Sequence, residues 1–233
     1  MYLASKQLNT VDQSRLTVFQ RQTGLTLPPT YCHFLETCGE GTYCGNLDIG
    51  FPDEVVLQTF ASYDFWNHDN APITKTQIGE CISLGCSVDG DYLAIHADVD
   101  GLIMLPRGSD EISLFKFDKS DFCSTLDAVF TCLYGEDPGD TYFEPSNPDE
   151  KFVRLRSFGD LHSLARSFKS AFAYDFLIED EKYTCQVFIL DLGGSVRFNL
   201  AGGLEVVIRY SNSGWETYSK VRDFFNRNSC VEW

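Results

Sequence analysis

The chain has 233 residues, 43% of them hydrophobic and 14% aromatic, which is enough apolar material for a packed core and too much for a disordered chain. Its 34 acidic against 18 basic residues give a net charge of -16, which argues against a nucleic-acid backbone or an anionic membrane as the main partner. No apolar run approaches the roughly 20 residues of a membrane-spanning helix. Residues 1–21 lack the apolar block and small-residue cleavage site of a secretory signal.

Nine cysteines are an odd number and none forms a Cys-x-x-Cys pair. Without an export signal, the expected compartment is the cytoplasm and the expected thiols are reduced and mostly buried. Cys32, His33, Cys38 and Cys44 match no standard zinc spacing, so no metal or other cofactor is expected.

In chain order, Thr10-Val-Asp-Gln13 has the form of a capping box opening a first helix that Gly24 ends. Pro28 and Pro29 suit the first turn of a second helix. Tyr31, Phe34, Leu35 and Cys38 make its apolar face before Gly39. Residues 92–97 and 102–105 read as strands joined by a hairpin turn at Asp100-Gly101. A calcium loop counted from Asp98 fails, because Leu102 and Ser109 stand where an oxygen ligand and a glutamate are needed. Residues 112–118 predict a further strand. A helix from about Ser120 carries Phe122, Leu126, Phe130 and Leu133, with Gly135 as its stop.

Residues 135–149 hold three prolines, two glycines and five carboxylates without an apolar period. They predict an acidic linker over 135–150 that separates a domain over 1–134 from one over 151–233. Charge divides in the same region. Residues 1–149 hold 7 basic and 23 acidic residues, a net of -16, and residues 150–233 hold 11 of each. In the second part, Asp160 is an N-cap candidate for a helix with Leu161, Leu164, Ala165 and Phe168 on one face. Strands are predicted over 183–190, 195–200 and 204–210, with Gly193-Gly194 and Gly202-Gly203 as hairpin turns. Ser213-Gly-Trp-Glu216 reads as a capping box for a last helix. The order is helix, three strands, helix, a small α+β layer.

The segment Gly24-Leu-Thr-Leu-Pro-Pro-Thr-Tyr-Cys-His-Phe-Leu-Glu-Thr-Cys-Gly-Glu-Gly41 resembles the signature of the SUKH superfamily, the Smi/Knr-like proteins. Ile82-Ser-Leu-Gly-Cys-Ser-Val-Asp-Gly-Asp-Tyr-Leu-Ala-Ile95 and the helix from Phe122 to Leu133 resemble that family's later strand entry and closing helix. The resemblance covers about residues 7–134. It implies an α+β fold, a SUKH-like sheet packed with helices, followed here by the smaller α+β domain. Leu27, Tyr31, Phe34 and Leu35 read as architecture within it, offering no nucleophile with a base.

The residues themselves give little support for an enzyme. His33, His68, His96 and His162 are scattered. Ser195, His162 and Asp191 could be drawn as a triad, yet no nucleophile elbow surrounds Ser195. The resemblance implies either an immunity protein that neutralises a cognate bacterial toxin or a non-catalytic regulator or scaffold of the Smi/Knr type. The acidity of the first part favours the former, with a basic toxin as partner, occlusion as mechanism, and neither nucleic acid nor membrane involved. Contact candidates are Glu40, Asp48, Asp53, Glu54, Asp64 and Asp69, with Tyr63 and Trp66 as aromatic anchors. Solvation for the acids and core packing for the aromatics are the competing roles.

Overall fold

The computed structural model describes residues 1–232. It is a mixed α+β structure of five α-helices with two antiparallel sheets, and the chain divides into two compact units. The first comprises Met1 and Leu8–Ser146; the second comprises Tyr2–Gln7, which includes strand β1 (Tyr2–Leu3), and Asn147–Trp233. The boundary therefore falls between residues 146 and 147, near the end of the predicted linker. Redrawn there, the charge asymmetry is unchanged. The first unit holds 22 acidic and 6 basic residues, a net of -16, and the second holds 12 of each.

In the first unit, helix α1 (Gln13–Thr23) is capped two residues later than the capping-box pattern suggests. The Asp12 carboxylate accepts the Ser14 N–H at 2.6 Å, while Val11 is buried and its N–H bonds the Leu35 carbonyl. A carboxylate at the cap also suits the helix dipole. Helix α2 (Pro29–Thr37) buries Tyr31, Phe34 and Leu35, as its spacing predicts, while Cys38 of the predicted face is the half-buried C-cap. Two glycines of the knee that follows are required by close approach. Gly39 sits at φ +84°, and a Cβ there would lie 2.4 Å from the Asn9 carbonyl oxygen; one at Gly41 would lie 2.3 Å from the Glu144 carbonyl.

The strands are β2 (Gly41–Tyr43), β3 (Leu47–Asp53), β4 (Ile82–Ser87), β5 (Tyr92–His96), β6 (Val99–Leu105) and β7 (Ser113–Phe115). Helix α3 (Phe122–Tyr134), capped by Asp121 and ended by left-handed Gly135, is followed by β8 (Tyr142–Pro145). These seven strands lie in the order β8-β2-β3-β4-β5-β6-β7. Thus residues 142–145 are a strand paired with β2 and not part of a linker. The β5–β6 turn also differs from expectation. His96 pairs with Val99, so residues 97 and 98 make the turn and Gly101 lies inside β6. The helices close on the sheet through edge-to-face rings: Tyr31 and Phe34 meet Phe122 at 5.4 and 5.5 Å, and Phe34 meets Phe143 at 5.0 Å. In α3 the buried residues are Phe122, Thr125, Leu126 and Val129; Phe130 and Leu133 are only half-buried.

The second unit is richer than helix, three strands, helix. It runs β9 (Lys151–Arg156), α4 (Leu161–Ala171), β10 (Phe176–Asp180), β11 (Thr184–Ile189), β12 (Gly194–Asn199), β13 (Glu205–Tyr210), α5 (Trp215–Arg227) and β14 (Val231–Glu232). Six strands form one antiparallel sheet in the order β10-β11-β12-β13-β9-β14. The three expected strands are its centre, and both glycine pairs lie at the hairpin connections. Phe168 of α4, fully buried, contacts Phe198 of the sheet and Phe224 and Phe225 of α5 at 5.4–5.6 Å. Helix α5 has Gly214 as N-cap with no side-chain cap. Ser213 bonds the Ser211 hydroxyl instead, so the predicted capping box does not form. On the opposite face of this sheet the Tyr2 ring stacks on Phe176 at 4.8 Å.

All nine cysteines are free: four are buried, four half-buried and Cys132 is exposed. Burial pushes the Cys81 and Cys123 thiols up to about 12 and Cys32 and Cys185 up to about 11, so these four are neutral and weakly nucleophilic near pH 7. Among the described residues no helix is long and apolar enough to cross a membrane.

Candidate partner-binding surface

Between β3 and β4 of the first unit the chain leaves the sheet for an excursion over residues 54–81. The Asp53 carboxylate starts it by accepting the Val55 and Val56 N–H groups at 2.6 and 3.0 Å. A short 3-10 turn, Gln58–Ser62, then delivers four aromatic residues: Phe60, Tyr63, Phe65 and Trp66. The excursion has its own small core, in which Leu57, Trp66, Ile73, Ile78 and Cys81 pack against Ala94, Ile103 and Leu105 of the sheet.

Trp66 belongs to that core. It is 7% exposed, and its indole Nε1–H donates to the Pro106 carbonyl at 2.7 Å. This corrects its assignment as a surface anchor. An indole is large and apolar with one polar atom, and burial becomes favourable once that atom finds an acceptor. Next to it, the Asn67 N–H donates to the Asp110 carbonyl at 2.8 Å, and Asn67 bridges Glu111. Trp66 and Asn67 are therefore tied to residues 106–111, while the Tyr63 N–H closes the preceding turn on the Phe60 carbonyl.

What this arrangement exposes is the pair beside Trp66. Tyr63 and Phe65 are 52% and 53% exposed, with rings stacked at 5.2 Å. Phe65 also meets Trp66 at 5.8 Å and Phe60 at 6.0 Å. Phe65 is the residue the sequence reading missed. The dense run of aromatics over 60–66 was the available signal, but nothing in it says which ring turns outward.

The carboxylates divide into surface and structural groups. Asp64 and Asp69 are exposed on this loop, Asp64 within 3.1 Å of Lys75. Glu54 is exposed at its start. Asp53 is exposed but engaged as the cap just described. Glu40 is half-buried, its Oε2 accepting the Phe51 N–H at 3.1 Å, and Asp48 accepts the Thr42 hydroxyl at 2.6 Å on the β2–β3 hairpin. Tyr63, Asp64 and Asp69 therefore share one loop, with Asp53 and Glu54 at its root. Glu40 and Asp48 belong to the β2–β3 region.

His68 and His96 are engaged locally, while His33 on α2 and His162 on α4 are exposed. His68 Nδ1 lies 2.9 Å from the Ile73 carbonyl, and buried His96 accepts the Asp98 N–H at 3.1 Å. The Ser195 hydroxyl accepts from Gln186 at 3.1 Å, and Asp191 pairs with Lys6 at 2.9 Å. His162 lies on α4 in a cleft with Arg166, Lys169 and Glu179. Among the described residues no three His, Cys, Asp or Glu side chains are grouped to hold a metal ion.

No family model, curated protein or solved structure matches the chain.

Proposed function

We propose that this chain is an immunity protein, which binds a cognate bacterial toxin in the cytoplasm and covers its active site without chemistry of its own. The observation that carries the reading is the stacked, exposed Tyr63–Phe65 pair flanked by the carboxylates Asp64 and Asp69. Rigid exposed aromatics supply contact area at low entropic cost, and a surrounding acidic rim selects a basic partner. The SUKH resemblance over residues 7–134 and the net charge of -16 on the first unit support the same reading. The neutral second unit lends support to a regulator or scaffold of the Smi/Knr type as the second reading, since two compact units of contrasting charge suit two partners.

Co-expression tests the proposal. The toxin should be the C-terminal domain of a large protein encoded beside this chain, and growth arrest by that domain should be relieved by this chain. It should be relieved less by a chain carrying Tyr63→Ala and Phe65→Ala together. Failure of the wild-type chain to form a complex with that domain overturns the reading.

A further inference from the structure

Beside Phe65 the first unit carries two adjoining depressions with contrasting linings. One, of about 460 Å³, is walled by Phe60, Phe65, Trp66 and Tyr92. Its rings are locked together: Phe60 lies 5.4 Å from Tyr92 and 6.1 Å from Trp66, and Trp66 is held by its bond to Pro106. The other, of about 550 Å³, is lined by Asp89, Asp91, Glu111 and Tyr134 among others. The two share Pro106, Arg107 and Ser109, so they adjoin.

Charge fixes what the second depression accepts. Arg107 is its single cation, set against three carboxylates. The guanidinium donates from Nη1 to the Asp89 carbonyl oxygen at 3.2 Å, and the Arg107 N–H donates to the buried Asp91 carboxylate at 2.8 Å. Asp91 is further satisfied by the Ser87 hydroxyl at 2.5 Å. Asp89 and Glu111 remain exposed, with Asp89 at the long distance of 3.4 Å from the Tyr134 hydroxyl. Burial, with Asp89 adding to it, pushes that phenol up to about 12, so it stays a neutral donor at physiological pH. The depression thus keeps an excess of negative charge, and a cation entering it meets two solvated carboxylates.

We propose that the paired depressions form one recognition site for a basic segment of the partner protein. An aromatic side chain of that segment enters the ring-walled groove, and an adjacent arginine reaches Asp89 and Glu111. Aromatic rings favour aromatic occupants through offset and edge contacts, and carboxylates favour a planar guanidinium through paired N–H donors. This inference rests on the partner-binding reading above and adds the chemistry of the bound segment.

The test uses the full chain and a defined probe, N-acetyl-phenylalanyl-arginine amide. The Trp66 indole and Gly90 amide resonances should shift saturably, with an affinity on the order of millimolar for so small a ligand. N-acetyl-phenylalanyl-glutamate amide and N-acetyl-alanyl-arginine amide should each bind about tenfold more weakly or worse. Phe65→Ala should weaken the probe by about tenfold, while Glu111→Gln should weaken it and leave N-acetyl-phenylalaninamide unaffected. Both side chains are exposed, so both variants should keep the wild-type circular dichroism spectrum. No saturable shift, or equal binding of the glutamate and arginine probes, overturns the inference. The two proposals fail separately. If the probe fails while the wild-type chain still neutralises toxin, only this inference falls. If the probe binds selectively but no toxin complex forms, only the immunity reading falls.

Discussion

At the scale of single residues, the deciding distinction on the candidate surface is between Trp66 and its neighbours Tyr63 and Phe65. All three are aromatic and lie within four positions, yet one is core and two are surface. The difference rests on one hydrogen bond, from the indole to the Pro106 carbonyl, which makes burial of the only polar atom of Trp66 tolerable. Trp66→Phe removes the donor together with the five-membered part of the indole, leaving the Pro106 carbonyl without its partner and a void among Leu57, Ile73 and Ile78. The loss should be about 1–3 kcal/mol, read as a lower urea midpoint for the first unit with an unchanged slope. An unchanged midpoint would show that the bond holds nothing in place. Tyr63→Ala and Phe65→Ala should leave the midpoint close to wild type, because each ring is about half in water already.

At the scale of elements, helix α4 depends on a charged cap. The Asp160 carboxylate accepts the Ser163 N–H at 3.0 Å and the His162 N–H at 3.3 Å. The bonds from Ser163 come first in holding its pKa below the ordinary 3.8. The native pKa is thus lower than the unfolded one. Its contribution is fully present above the unfolded value and is lost as pH falls through the native value. Asp160→Ala should be less stable than wild type at neutral pH, and the gap in urea midpoint should narrow as the pH falls below the ordinary carboxylate value and through the lowered native one. A gap that stays constant over that range would remove the carboxylate's charge from the explanation. Elements such as α4 were legible in the sequence because period and cap agree. Leu161, Leu164, Ala165 and Phe168 are all buried behind Asp160. The cap of α1 was misplaced because Thr10 and Asp12 are both good caps, and the burial of Val11 decides between them. Strands β9 and β8 show why some strands are not legible locally. In β9, Phe152, Arg154 and Arg156 are exposed, leaving only Val153 and Leu155 turned inward. In β8, four residues next to prolines look like a linker until β2 supplies their hydrogen bonds. Pairing partners distant in sequence cannot be read from a local pattern. The candidate surface was legible in the same partial way. Its charge and aromatic density are compositional, whereas the outward turn of Phe65 is set by the ties of Trp66 and Asn67 to residues 106–111.

At the scale of the whole molecule, charge is the dominant asymmetry: -16 on the first unit and zero on the second. A field of that size acts over distances set by salt, from roughly 30 Å at 0.01 M to about 8 Å at 0.15 M. If it steers a basic toxin, the association rate should fall steeply across that range, while dissociation, set by the few desolvated anchors, changes much less. Individual residues then separate by role. Asp69 is exposed with no cationic neighbour within ion-pair distance among the described residues, so Asp69→Lys should slow association with little effect on stability. Asp64→Lys should slow it as well and, by facing Lys75, should also loosen the loop slightly. Phe65→Ala and Tyr63→Ala should instead speed dissociation, because they remove contact area and not charge. Stopped-flow association over a salt series, with surface-captured dissociation for the same four variants, reads both arms. An association rate indifferent to salt would mean that the acidity serves solubility alone. The acidic contacts would then be abandoned, and the aromatic pair would have to carry the interface without electrostatic help.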